Sequence, residues 1–138
     1  MITDAQTWLS KAQALTSGTA YSDSYDAGLA RDIGIGHSIR AKVLVDTTFT
    51  GGTNETFNLV ESANADLSSP TVLVSSGAIL EAALTAGASV MDVVIPKTSK
   101  RYVGFQYVAS GTHTAGKVNA LLVLDTASGD AFPVENGL

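Results

Sequence analysis

Two runs near the end of the chain constrain the fold most: RYVGFQYV (Arg101 to Val108) and KVNALLVLD (Lys117 to Asp125), separated by ASG and a THTAG stretch. Successive residues of a strand face opposite sides of a sheet. In the first run Val103, Phe105 and Tyr107 therefore share one face, and Tyr102, Gly104 and Gln106 the other. In the second run both faces turn apolar, with Val118, Ala120, Leu122 and Leu124 on one side and Leu121 and Val123 opposite. The pattern predicts two paired strands reversed at the glycines, the first with one core face and the second covered on both. No cluster of acids, bases or ligands accompanies them, which fits a chain that binds rather than transforms.

The same texture begins at Ile39. Val43, Val45 and Phe49 alternate with Leu44, Asp46 and Thr48, and Gly51-Gly52-Thr53-Asn54 supplies residues that tolerate the backbone of a hairpin turn. Phe57 and Leu59 share a face of the returning strand. Glu61 to Pro70 is a polar connection, Thr71 to Ser75 a short strand, and Val90 to Ile95 a strand closed by Pro96. The run Ala78 to Leu84 fits a strand or one helical turn equally well. Six or seven short strands bounded by Gly, Pro or Ser predict an all-β fold, an antiparallel β-sandwich or jelly roll. No repeat of 20 to 50 residues points to a solenoid or propeller.

Upstream, Thr3 or Asp4 is placed to cap a short helix whose stripe is Ala5, Trp8, Leu9, Ala12 and Leu15. Ser17 to Ser38 is rich in Gly, Ser, Asp and Tyr without a sustained period, and reads as an extended arm. The expected organisation is one structural domain. Residues 1–38 form a helix and arm packed on the same domain or on a neighbouring subunit, and residues 39–138 form the jelly roll. Tyr21, Tyr25, Leu29 and Ile33 of the arm, with Leu121 and Val123 of the last strand, are the candidate residues for a subunit or capsid contact.

A chain of 138 residues is long enough for one core. It has no Cys, so neither disulfides nor thiolate metal sites enter. A formal charge of -5 disfavours the phosphate contacts that dominate nucleic-acid affinity, and nucleic acid is not expected as a partner. No window carries the roughly 18 apolar residues of a membrane span, and the N-terminus lacks the cationic start and apolar run of a signal peptide. Charged residues are 15% of the chain against about 25% in average domains, a composition suited to contact surfaces.

The constellations that would carry chemistry are weak. His37 and His113 have no carboxylate or second His at a ligand spacing, and no G-x-S-x-G elbow occurs. Gly34-Ile35-Gly36 lacks the third glycine and the strand-to-helix context of a dinucleotide site. Asp23, Asp26 and Asp32 do not follow the spacing of a calcium loop. No catalytic residue, cofactor or metal is therefore expected, and no enzyme. A carbohydrate-binding module is the alternative, with Trp8 and Tyr102 as its sparse aromatic platform.

The segments SYDAGLARDIGIG (Ser24 to Gly36), SSPTVLVSSGAI (Ser68 to Ile79), LTAG (Leu84 to Gly87) and RYVGFQYVASGTHTAGKVNALLVLD, in this order and spacing, resemble the small jelly-roll cement, or decoration, proteins of tailed bacteriophage capsids. The resemblance covers nearly all of the chain after about residue 20. It implies a homotrimer on the outer surface of a phage head that bridges major capsid protein subunits. It brings no catalytic residues with it.

Overall fold

The computed structural model describes residues 7–30 and 39–124. Seven strands make one antiparallel sheet: β1 (Trp8–Ala14), β2 (Thr19–Tyr21), β3 (Tyr25–Asp26), β4 (Ile39–Ser62), β5 (Thr71–Leu80), β6 (Ser89–Val94) and β7 (Tyr102–Leu124). Among the described residues the only helical element is a 3-10 turn at Glu81–Ala83.

Two strands organise everything else. β4 has 24 residues and β7 has 23, and they pair from Ile39 opposite Leu124 through to Ser62 opposite Tyr102. The ladder slips repeatedly between Val45 and Asn54, where both strands bend together. On one side of the bend β4 (39–47) and β7 (117–124) are flanked by β6 and β1; on the other, β4 (54–62) and β7 (102–110) are flanked by β5 and by β2 and β3. The strands thus pass from one layer to the other at a corner, a device by which bulged strands switch sheets. The result is the antiparallel β-sandwich expected from the alternation.

Both layers supply one core. Ala41, Val43 and Val45 from the first sheet meet Phe57, Leu59, Phe105 and Tyr107 from the second, all at most 2% exposed. Val103, Phe105 and Tyr107 share the inward face, as their alternation requires. A hydrogen bond crosses between the layers: Ser10 Oγ donates to Gln13 Oε1 at 2.6 Å, which leaves it to accept from the buried Tyr107 hydroxyl at 2.8 Å. At the far end the buried Glu61 carboxylate accepts from Ser99 N (2.7 Å), Ser99 Oγ (3.0 Å) and Lys100 N (3.1 Å), fixing the connection into β7.

Three expectations are corrected. The N-terminal helix is a strand: β1 pairs with β7, Leu9 and Leu15 are buried, and Ala12 adopts a φ of 46° within the second of two register shifts. Those irregularities break the alternation of two and imitate a helical spacing. Gly51-Gly52-Thr53-Asn54 is not a hairpin turn, and the THTAG stretch is not a reversal. Both lie within continuous strands, because each has the other as its partner across the corner. Gly52 is required there because a Cβ would lie 2.3 Å from the His113 ring. Gly116, at φ +146°, leaves room for Phe49, whose ring a Cβ would meet at 2.5 Å.

Candidate functional site

The corner brings together side chains that are far apart in sequence. His113 is fully buried, with Phe49 edge-on at 4.9 Å between ring centroids. Its Nε2 lies 3.2 Å from Glu55 Oε2 and its Nδ1 lies 3.4 Å from Glu81 Oε2, while Glu81 also accepts from Gly52 N. The Glu55 contact is close enough for an ion pair but misaligned for a hydrogen bond, so both Glu55 oxygens and His113 Nε2 lack hydrogen-bond partners. Burial pushes the Glu55 carboxyl up to about 7, with His113 opposing the rise. Burial also raises the phenol of Tyr107, and the nearby Glu55 charge adds to it. Spacing did not reveal this cluster, since pairing of β4 with β7 assembles it. One signal was available: Glu55 has the parity of Phe57 and Leu59 and so had to face the core.

The outer faces of the two sheets differ in charge. On the first sheet Arg40 and Lys42 converge on Asp92, at 2.7 and 3.6 Å. On the second sheet the three registered rows next to the corner are Leu80–Asn54–Ser110, Ala78–Thr56–Val108–Thr19 and Ser75–Asn58–Gln106–Tyr21, and none contains a charge; the row at the far end, Ser62–Tyr102–Asp26, carries the Asp26–Arg101 pair. Amides tie the Ser75–Asn58–Gln106–Tyr21 row together: Asn58 Nδ2 donates to Gln106 Oε1 (2.9 Å), and Gln106 Nε2 donates to the Tyr21 hydroxyl (3.2 Å). Beside it runs β5, paired only with β4 among the described residues, with Val72 48% and Leu80 65% exposed. Uncharged, partly apolar faces are what the centres of protein interfaces look like, because charge is depleted there.

The sequence-derived contact residues do not form one patch. Tyr21 belongs to the uncharged face, whereas Tyr25 packs against the core of its own chain opposite Val103. Leu29 is 59% exposed, and Ile33 lies outside the described residues. Leu121 and Val123 are buried within the subunit at 0% and 4% exposure, so they are not available as surface contacts. The arm residues that are described pair with β7 of the same chain through β2 and β3.

Of the remaining sequence candidates, Asp26 is committed to a two-pronged pair with Arg101 (2.7 and 2.9 Å), which holds its carboxyl down at about 2. Asp32, His37 and Gly34 to Gly36 lie outside the described residues. Trp8 lines an open cleft of about 390 Å³ at the sandwich edge between β1 and β2, with Ser10, Lys11, Gln13, Tyr21 and Asp23, and Tyr102 is not part of its lining. No group of His, Asp or Glu among the described residues is arranged to hold a metal ion.

Comparison with known families matches the model of the family described as Bbp16 over residues 9–122, from β1 almost to the end of β7. A search of curated proteins found no match.

Proposed function

The chain belongs to the Bbp16 family, a phage-type protein family, and from this premise we propose that it is a structural virion protein. In this reading it is a trimeric cement, or decoration, protein that binds the outer surface of a phage head and bridges major capsid protein subunits. It acts by binding alone, without catalysis, nucleic acid or membrane. The observation that carries the reading is the uncharged part of the second sheet's outer face beside the corner, three rows of amide, hydroxyl, phenol and aliphatic side chains. Such a face docks on protein without leaving an unpaired charge dry.

Three-fold assembly supplies what one face lacks. Identical head-to-tail contacts close into a ring, and three linked patches of about micromolar strength gain roughly 10²-fold or more in avidity. The test is co-sedimentation of the purified protein with heads that lack it, followed by cryo-electron microscopy, beside light scattering of the free protein. Saturable binding by a trimer is expected, lost in Thr56→Glu and Val108→Glu variants that fold normally. A monomer with no affinity for heads would refute the reading.

The Trp8 cleft favours a second one. Its indole, amide, ammonium and carboxylate groups are of the kinds that hold sugars in a carbohydrate-binding module. Saturable glycan binding that Trp8→Ala abolishes, with no head binding, would select it.

A further inference from the structure

The His113–Glu55 cluster takes no part in the docking face, yet it occupies the one place where the sandwich changes layer. An imidazole and a carboxylate 3.2 Å apart and almost wholly buried hold charge safely only as a pair. With one proton between them they are either an ion pair or two neutral groups. With none, a carboxylate is left dry beside a neutral ring, a state that burial penalises heavily. Neither oxygen of Glu55 has a hydrogen bond to soften that state.

We propose that the His113–Glu55 pair is a proton-operated joint: the closed corner retains one proton, and its loss in mildly alkaline medium loosens the connection between the two sheets.

The surroundings give the joint its direction. The titratable groups facing Glu55 are His113 and Tyr107, both from β7, and neither supplies a positive charge once the imidazole is neutral. Glu81, from the 3-10 turn, faces the opposite ring nitrogen and adds negative charge. The two carboxylates sit against different nitrogens of one ring, an arrangement for sharing protons rather than for ligating a single ion. The raised Glu55 carboxyl agrees in sign. A folded acid titrating above its unfolded value stabilises fully below the unfolded value of 4.5, and that contribution is lost as pH rises through about 7. Opening is felt locally, because Gly52 N, bonded to Glu81, and His113 N, bonded to Thr16 O at 2.7 Å, belong to the corner itself.

The experiment is an NMR titration of the pair in the full chain, read at the Glu55 carboxyl carbon and the His113 ring, with amide exchange at Gly52 and His113 from pH 6 to 8.5. The pair should lose its proton above pH 6, and corner protection factors should fall about tenfold over that range. In Glu55→Gln, which keeps the shape without the ionisation, that fall should shrink several-fold. No loss of a proton from the pair between pH 6 and 8.5, at either the Glu55 carboxyl or the His113 ring, or protection that is flat with pH in the wild-type chain, would overturn the proposal. The wild-type titration decides the matter even if the variant does not fold.

Discussion

Replacing Gly116 by Ala tests whether the corner is as tightly built as its geometry implies. The added Cβ would lie 2.5, 2.6 and 2.8 Å from three atoms of the Phe49 ring, where carbon atoms prefer about 3.5–4.0 Å. Phe49 cannot swing away freely, since it is 2% exposed and stands edge-on to His113. Overpacking of this kind costs roughly 1–3 kcal/mol, and a φ of +146° adds about 1–3 kcal/mol for an L residue. The sum, roughly 2–6 kcal/mol, is a large share of the 5–15 kcal/mol that holds a typical domain together. Urea unfolding at equilibrium measures it. Gly87→Ala is the control, because φ is also positive there (+90°) but nothing lies within 4 Å of the new Cβ. Gly116→Ala should cost at least about 1 kcal/mol more than the control, and Phe49→Leu should recover part of the loss in the double variant. Equal costs at the two glycines, with no recovery, would show that the corner has slack and refute the reasoning.

Other perturbations separate the parts of the fold. Tyr107→Phe removes the donor that reaches Ser10 across the core and should cost about 1 kcal/mol in the same assay, without changing the urea slope. Glu61→Ala strands two backbone N–H groups and should cost about 2–3 kcal/mol; a cost below about 0.5 kcal/mol would mean that water replaces the carboxylate. Leu121→Asp should unfold the subunit rather than merely dissociate an assembly, because the residue is 0% exposed within one chain. A folded monomer of this variant, seen by circular dichroism and light scattering, would put Leu121 back at an interface.

Much of the architecture was legible because a strand writes its parity into the sequence. Val103, Phe105 and Tyr107 announced an inward face, and that face is where they lie. The glycines were seen but misread. Gly51-Gly52 serves a reversal and a corner equally well, and what separates the two is whether a partner strand continues alongside, which no local window contains. The N-terminus failed for a different reason: bulges around Ser10 and Gln13 bury Leu9 and Ser10 side by side and expose Lys11 and Ala12, so no alternation of two survives between Leu9 and Leu15. The cluster at His113 was half visible, through the parity of Glu55. Its histidine has no assignable face as long as residues 112–116 read as a turn. The uncharged face needed the register of four strands, so only the low overall charge hinted at it.

Since β4 and β7 run unbroken through the bend, the two layers are joined by covalent backbone twice over, not merely pressed together. Prising them apart cannot proceed as slippage along a greasy plane; it must fold open two peptide chains at once and shear the ladder between them. The body should therefore yield to tension as a single mechanical piece, with no half able to melt while its mate stands. In the proposed role on a shell, that stiffness would pass strain from one anchoring point to the next instead of absorbing it.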